Sequence, residues 1–319
     1  MTADQLSGLS DTLFSTSVGL YSLAVVAFCA QLAFGRRPAP ARALVGAGAP
    51  ADGPAAVETP APDDPPAVRR WGQVAMLLTV LGALTHTGVL VTRGLALDRL
   101  PWGNMYEFAT AVVLVAVVAF VVLAVRSPGL RHLGLFVLAP VVVSLVAIGL
   151  FLYVEGAPLV AALRSSWLAV HVTTAILGFG VFFVSGIASV LYLVRGRFEA
   201  RGGDPSSSRV VARIPSAATL DRVAHRTAVF GFPIWTFAVI AGAIWAESAW
   251  GRFWGWDPKE TWAFIAWVVY AAYLHARTTA GWRGRPAAWV NVVGLGVMVF
   301  NLLYVNMVSS GLHSYGGVN

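Results

Sequence analysis

Eight separate apolar runs, each long enough to cross a bilayer as a helix, constrain this chain more than any other feature of its sequence. Of the 319 residues, 57% are hydrophobic and only 12% are charged. That balance, with a mean hydropathy of +0.72, is typical of a polytopic membrane protein. The predicted spans are Leu13–Phe34, Trp71–Thr92, Asn104–Val125, His132–Tyr153, Ser165–Val194, Thr227–Trp245, Thr261–Thr279 and Ala287–Val308. We therefore predict an all-α integral membrane bundle of about eight transmembrane helices.

The first 70 residues divide into an anchor and a linker. The first apolar run has no Lys or Arg before it, so it lacks the basic region of a secretory signal peptide. Residues 1–34 are therefore predicted to stay in the protein as an N-terminal transmembrane anchor. Residues 35–70 are rich in Pro and Ala and poor in large apolar side chains, which predicts a disordered cytoplasmic linker. Residues 71–319 then form one transmembrane domain.

The basic residues predict how the helices are oriented. When residues 35–70 are placed inside the cell, 17 of the 22 Lys and Arg residues lie on the inner side and 5 on the outer side. The positive-inside rule favours that orientation in the plasma membrane, with both termini outside. This distribution explains the net charge of +7 without nucleic-acid binding. Cys29 is the only cysteine, so an internal disulfide is impossible and any thiol chemistry must bring its thiols from a partner.

The segment Trp250–Arg277, which reads WGRFWGWDPKETWAFIAWVVYAAYLHAR, concentrates aromatic residues on the outer side. It contains five of the twelve tryptophans: Trp250, Trp254, Trp256, Trp262 and Trp267. Gly251, Gly255 and Pro258 prevent a regular helix at its start, which predicts an external Trp-rich loop over residues 250–262. One interpretation is an aromatic belt at the headgroup level. Tight glycines and a carboxylate between the rings instead favour a site for a large planar ligand.

This segment resembles the Trp-rich "WWD" signature of haem-handling membrane proteins. It is most similar to the CcsA/ResC type, the membrane component of the System II cytochrome c synthase. The resemblance implies that residues 71–319 export haem b and present it outside, both as bound ligand and as substrate. It implies a ResB/CcsB-type membrane subunit as partner, apocytochrome c with its CxxCH motif as substrate, and thioredoxin-like proteins as thiol reductants. With that partner, the implied activity is a cytochrome c synthase, or haem lyase, that forms thioether bonds.

Three other functions remain open from the sequence. A CcmC-like haem chaperone belongs to the same superfamily, but such chaperones are generally shorter, with six spans, and lack the DPKE run at Asp257–Glu260. A transmembrane b-type cytochrome also holds haem between helical histidines, but it needs them at matched depth and needs no Trp-rich docking loop. A secondary transporter would bind no cofactor at all.

Two histidines flank the Trp-rich loop on the outer side. His171 lies near the start of the fifth predicted span, and His313 lies just beyond the last one. A haem iron takes one axial nitrogen on each face, so the pair could hold an outer haem. Without a haem they would be ordinary interfacial histidines, solvated or hydrogen-bonded. The resembling family has a histidine at each matching position, which implies that both are iron ligands.

Two further histidines lie inside predicted spans, where an imidazole is costly unless it is paired or functional. His275 is predicted near the inner leaflet, and the resemblance implies that it binds a second, inner haem. Packing over small residues or capping of the helix end are the alternatives. His86 is predicted closer to the outer side, so the two should not share an iron. It would belong to the outer haem chamber, with metal ligation as one possibility, or make a polar contact between helices.

Polar residues around the loop complete the predicted haem-binding set. Asn104 and Glu107, in PWGNMYE, resemble a capping box at a helix start and could also form a wall of the chamber. Asp257 is expected either to hydrogen-bond a ligating imidazole or to brace the WGWDP turn. The candidate cations for the haem propionates are Arg93, Arg99, Arg164 and Arg252. The haem-binding set is Trp250, Trp254, Trp256, Trp262, Asp257, Asn104, Glu107 and Arg252, and the proposed iron ligands are His171, His313, His275 and His86.

Overall fold

The computed structural model describes residues 1–34, 65–159, 163–203, 208, 211, 214–309 and 311–313. Within these ranges the chain forms eight α-helices and no strand, which confirms the predicted all-α bundle. The helices are α1 (Ala3–Phe34), α2 (Pro66–Leu97), α3 (Met105–Arg126), α4 (Gly134–Phe151), α5 (Ser166–Ala200), α6 (Ala217–Trp250), α7 (Pro258–Thr278) and α8 (Arg285–Met307). A short 3-10 helix, Pro128–Leu133, joins α3 to α4.

Helix α2 begins at Pro66, so the last five residues of the predicted linker are helical. Proline is favoured in the first turn of a helix, where its missing N–H would have no partner in any case. The sequence pattern therefore placed this boundary too late. Residues 35–64 of the predicted linker lie outside the described residues.

Seven helices in the described ranges are long and apolar enough to cross a membrane, and α7 is the one that does not meet that criterion. Helix α7 has 21 residues, enough for about 30 Å of helix, so its length is sufficient. Its composition is what differs, because Trp, Tyr, His and charged side chains interrupt the apolar ones. The least apolar helix of the bundle is thus the one that follows the Trp-rich loop.

Contacts between helix ends show that α1 to α4 alternate in direction. The Ser10 hydroxyl, near the start of α1, donates to the Val89 carbonyl near the end of α2 at 3.0 Å. Just after α4, the Tyr153 hydroxyl donates to the Asp11 carboxylate at 2.9 Å. The starts of odd-numbered helices therefore meet the ends of even-numbered ones.

The same alternation continues through α5 to α8. The Ser165 and Ser248 hydroxyls, 3.2 Å apart, join the start of α5 to the end of α6. The Lys259 Nζ lies 6.0 Å from the Phe108 ring centroid and links the start of α7 to the start of α3. All eight helices thus contribute to one common end of the bundle. We call it the Trp-loop end, because residues 251–257 lie there.

Two apolar cores stabilise the bundle. The first lies mainly among α1 to α4, where it contains Tyr21, Phe28 and Phe120, and it extends to buried residues of α5 and α6. The second lies mainly among α5 to α8, where the Phe182 ring stacks on Tyr270 at 3.5 Å between centroids. Small residues line both cores and let the helix backbones approach closely, as is usual between membrane helices. The helices packed in the second core are the ones that carry the Trp-rich loop and both outer histidines.

Candidate functional site

At the Trp-loop end, helices α3, α5, α6, α7 and α8 surround a cavity of about 870 Å³, counting the space at its open mouth. Its walls include Trp102, Asn104, Phe108, His171, Phe179, Trp235, Trp245, Lys259, Asn301 and His313. A smaller recess of about 460 Å³ shares His171, Trp245, Lys259 and His313, and adds Trp250 and Trp254. The structure therefore brings His171 and His313, which are far apart in sequence, to one aromatic cavity.

Helix α6 holds the His171 ring in a fixed orientation. The Nδ1 atom lies 2.8 Å from the Ala238 carbonyl oxygen, and because a carbonyl can only accept, Nδ1–H is the donor. A Cβ atom on Gly242 would lie 2.7 Å from the imidazole Cε1, so the ring occupies space that only glycine leaves open. Trp245 stacks nearly parallel to the imidazole, with 5.8 Å between centroids. The anchored Nδ1 leaves Nε2 as the nitrogen available for ligation at the cavity wall.

His313 is fixed by a carboxylate instead of a backbone carbonyl. Its Nδ1 lies 2.7 Å from Asp257 Oδ2. The rings of Trp245 and Trp250 pack edge-on against the imidazole, at 5.5 and 4.9 Å between centroids. Trp245 thus contacts both imidazoles. The carboxylate–imidazole pair is the arrangement that commonly orients a metal-binding histidine and raises its basicity.

Asp257 makes both of the contacts that the sequence left as alternatives. Besides binding His313, it caps α7, since Oδ2 accepts the Lys259 backbone N–H at 3.2 Å. Its Oδ1 accepts the Leu312 N–H at 2.8 Å. One carboxylate, only 8% exposed, therefore joins the start of α7 to the segment that carries His313.

The electrostatics of this pair keep the imidazole neutral and the carboxylate ionised. Burial lowers the pKa of His313, and the hydrogen bond that its Nδ1–H donates to Asp257 offsets only part of that effect, so the net pKa is below its ordinary value. Burial raises the pKa of Asp257, but the contacts from His313, Leu312 and Lys259 outweigh it, and the net pKa is lowered. A neutral imidazole is the form that binds a metal ion.

The Trp-rich loop is organised by Glu260. Helix α6 ends at Trp250, with Gly251 at a φ of 67°, and α7 begins at Pro258. The break falls at the predicted glycine and proline positions, but the loop is shorter than the predicted 250–262, because residues 258–262 already belong to α7. Glu260 Oε2 accepts the backbone N–H groups of Gly255 and Asp257 at 2.9 and 3.0 Å, and Glu260 completes a capping box with Asp257. These contacts close the loop against the start of α7.

The predicted tryptophans divide into two groups. Trp250 and Trp254 line the smaller recess. Trp256 is 64% exposed, at a left-handed φ of 57°, and lines neither cavity. Trp262 packs against Phe300 of α8, with 4.4 Å between centroids, and also lies outside both cavities. The sequence placed all four in one site because it could not show which face of the loop each ring occupies.

Glu107 lies in an ion-pair cluster next to the cavity and does not line it. Asn104 caps α3 as predicted, since its Oδ1 accepts the Glu107 N–H at 2.9 Å, and Asn104 does line the cavity. The Glu107 carboxylate is fully buried and accepts from the Gly103 N–H at 2.7 Å, from Arg93 at 3.0 Å and from Arg99 at 2.8 Å. A buried carboxylate needs such partners, so its role is to hold three chain segments together.

Three of the four predicted propionate cations are therefore bound to carboxylates of the protein. Arg93 and Arg99 pair with Glu107, and Arg252 pairs with Glu260 at 3.1 Å. Arg164 is exposed and donates to the Leu159 carbonyl at 3.0 Å. None of these four arginines lines either of the two cavities.

The two remaining predicted iron ligands, His86 and His275, lie away from the two cavities. His86 of α2 is fully buried, with Nδ1 3.4 Å from the Tyr21 hydroxyl of α1, and it lines neither cavity. The structure therefore gives it a polar contact between helices, which was one of its predicted roles. His275 is exposed in the last turn of α7 and lines neither cavity.

Sequence reasoning missed several cavity residues on α6 and α7. Trp235, Ala238, Gly242 and Trp245 recur at intervals of three and four residues, so they share one face of α6. That stripe of small and aromatic residues is a signal that could have identified the wall behind His171. Lys259 was visible as the single lysine of the chain, but the arginines were preferred as cations.

Comparisons with known proteins show the family of this chain. Residues 102–313 match the family model described as cytochrome C assembly protein, an interval that begins and ends on cavity residues. The cytochrome c biogenesis protein CcsA of Guillardia theta is 35% identical over 263 residues, which are 76% of this chain and 85% of that protein. CcsA of Synechococcus sp. (strain RCC307) is 37% identical over 266 residues, with coverages of 76% and 85%.

A solved structure shares the fold. The cytochrome c haem lyase CcmF superposes on 95% of this chain with a TM-score of 0.63 and 16% sequence identity. The alignment covers 47% of the CcmF chain, so this chain corresponds to about half of that protein. At this identity the similarity concerns the arrangement of helices alone.

Proposed function

Because this chain belongs to the cytochrome c assembly protein family and is of the CcsA type, we propose that it is the haem-carrying subunit of a System II cytochrome c synthase. It is a multi-pass membrane protein of cytochrome c biogenesis. Its role would be to receive haem b, hold it at the Trp-loop end and present it to apocytochrome c.

One observation carries the proposal: the imidazoles of His171 and His313 lie on one aromatic cavity, each with Nδ1 bonded to an acceptor. Haem iron takes one axial nitrogen on each face, and two imidazoles supply both. Indole and phenyl walls suit a large planar ring. The donor set and the walls therefore fit haem as a non-covalently held substrate.

The chemistry of attachment would belong to haem and apocytochrome. Each thiol of a CxxCH segment would add across a haem vinyl group, so that sulfur bonds to one vinyl carbon and the thiol hydrogen goes to the other. No electrons are gained or lost in this addition. Cys29, the single cysteine of this chain, lies on α1 outside both cavities, so the thiols come from the substrate. This chain would position the ring and exclude water.

The Trp-loop end would face the outside of the plasma membrane, with both termini on that side. The support is the distribution of charge, since 17 of 22 basic residues lie on the side of the linker. Arg277 pairs with Asp221 at 2.5 Å at the opposite end of the bundle, where the predicted inner arginines cluster. Haem would then have to cross the membrane before it reaches His171 and His313.

His275 is suited to an earlier step of that passage. It is exposed on the surface of α7 near the end opposite the Trp loop. An exposed imidazole at that depth can meet a ligand from another chain, so the second axial ligand of an inner haem would come from a ResB/CcsB-type subunit. Thioredoxin-like reductants would keep the substrate thiols reduced.

The proposal is tested with His171→Gly and His313→Gly in cells that co-express a ResB/CcsB-type partner. Each change removes one axial ligand, so bound haem and matured cytochrome c should fall at least tenfold and recover in part when imidazole is added. His225→Gly is the matched control, because His225 lies on α6 outside both cavities. His275→Ala should empty the outer site as well, by blocking supply, but added imidazole at the outer face should not restore it.

Absorption spectra of the purified complexes and haem-stained cytochrome c are the measurements. A His171 or His313 variant that matures cytochromes normally without imidazole would remove that residue as a ligand. A complex that is colourless when purified from haem-replete cells, with all histidines intact, would contradict the proposed function as a whole.

A further inference from the structure

The cavity contains a cation to which the sequence assigned no role. Lys259 lines both the main cavity and the smaller recess, together with both outer histidines. Among the described residues it is the one Lys or Arg side chain on either cavity wall. We infer that Lys259 pairs with a propionate carboxylate of the haem and thereby sets how the ring is turned between His171 and His313. This inference rests on the proposed function.

The Asp257 carboxylate contacts both the backbone of Lys259 and the ring of His313. Lys259 is the second residue of α7, and its backbone N–H donates to Asp257 Oδ2 at 3.2 Å. That oxygen also lies 2.7 Å from the His313 Nδ1. The start of the lysine side chain and the orientation of the imidazole therefore depend on one group.

The ammonium group of Lys259 extends across the cavity wall from α7 towards α3. Its Nζ lies 6.0 Å from the ring centroid of Phe108, at the range of a cation–π contact. Phe108 lines the main cavity as well. Lys259 therefore presents its cation to the same cavity that both imidazoles line.

The arginines at this end are engaged in other contacts. Glu107 binds Arg93 and Arg99, and Glu260 binds Arg252. An arginine that is already paired with a buried carboxylate would leave that carboxylate without its partner if it turned to a propionate, which is costly. Lysine has a compact charge on a flexible stem, which suits an anion that must arrive with the ring and leave with it.

For the reaction, the ion pair would fix how the haem ring is rotated about the line between its two axial nitrogens. Two axial nitrogens hold the iron but leave the ring free to rotate about the line that joins them. The propionates of haem b lie on one half of the ring and the vinyl groups on the other. An ion pair from Lys259 to a propionate would therefore fix the direction in which the vinyl groups point. Lys259 is a positioning residue in this scheme and takes no part in bond formation.

The test compares two ligands on each protein variant. Full-length protein with its partner subunit is stripped of haem in detergent and titrated with haem and with haem dimethyl ester, whose carboxylates are blocked. Wild-type protein should bind haem about tenfold more tightly than the ester, the scale expected for one charge-assisted hydrogen bond. Lys259→Met should lose this preference, and Lys259→Arg should keep most of it. Arg164→Met, which removes an exposed arginine outside both cavities, should behave like wild type.

The ratio of the two affinities is measured within one variant, so a general loss of fold cannot imitate the expected result. If Lys259→Met keeps the wild-type ratio, or if wild type does not distinguish haem from its ester, the inference is wrong. The proposed function would still stand in either case, provided that His171→Gly abolishes binding. If wild type binds neither ligand, the proposed function and this inference both fail.

Discussion

Gly82 of α2 and Gly242 of α6 each leave space for an aromatic ring at a histidine, and only the region of Gly242 opens onto a cavity. In α2, a Cβ on Gly82 would lie 2.6 Å from the Tyr21 ring, and that ring meets His86 one turn further along. In α6, a Cβ on Gly242 would lie 2.7 Å from His171. Glycine provides room for a ring in both regions. The difference is what lies on the other side of the imidazole.

The His86 ring is enclosed by its neighbours. It has 0% exposure, and the Tyr21 hydroxyl lies 3.4 Å from its Nδ1. The His171 ring has a backbone carbonyl on Nδ1 and borders the open space shared with His313. A histidine inside a membrane bundle is therefore a candidate ligand when its second nitrogen can reach a cavity, and burial in an apolar helix alone is insufficient.

The largest loss of haem affinity is expected when the Asp257 carboxylate that orients His313 is changed. Asp257→Asn should weaken haem affinity by roughly 10- to 100-fold, as is typical when the hydrogen-bond partner of a metal-binding histidine is lost. The amide has one oxygen, so it can accept either from Leu312 or from the N–H groups of Lys259 and His313, and it carries no charge to hold the imidazole N–H. Haem titration monitored by absorption provides the affinity.

Glu260→Gln is the matched control for that change. Glu260 belongs to the same capping box and contacts the same loop, but none of its hydrogen bonds goes to His313. It should lower thermal stability with a smaller effect on haem affinity. Equal losses of affinity in the two variants would show that Asp257 acts only as a helix cap and does not orient His313 for ligation.

The sequence predicted the helices well and the site only in part, for a physical reason. Apolar runs and Gly or Pro positions determine where helices span and break, so the bundle and the loop between α6 and α7 were predictable. Which ring of WGWDP faces inward depends on the left-handed φ of Trp256 and on the Glu260 contacts, which no local pattern reveals. Glu107 was misplaced on the cavity wall because its arginine partners come from a different helix and its following loop.

Lowering the pH tests the His313–Asp257 pair with a smaller and more gradual expected loss of bound haem. The pKa of His313 is lowered from its ordinary 6.5, mainly by burial, and only neutral imidazole binds iron. Haem should therefore stay bound as the pH falls to 6.5 and dissociate only below it, as His313 takes up a proton. The lowered pKa of Asp257 has the same sign, since the stabilisation from its carboxylate is lost as the pH falls through that pKa. A dissociation midpoint at or above pH 6.5, read from the Soret band, would contradict this assignment.

The smallest effect on haem is expected at His86. His86→Leu should leave haem affinity and spectrum unchanged within about twofold, because the ring lies outside both cavities. The variant should lose on the order of 1 kcal/mol of stability, since the Tyr21 hydroxyl would be left buried without its imidazole partner. Tyr21→Phe is the matched control, and the double variant should be closer in stability to wild type than the sum of the single changes predicts, because both polar partners are then removed together. If His86→Leu instead removes as much haem as His171→Gly, an enclosed histidine would be acting as a ligand. The rule drawn from Gly82 and Gly242 would then be wrong, and the N-terminal helices would have to be included in the haem site.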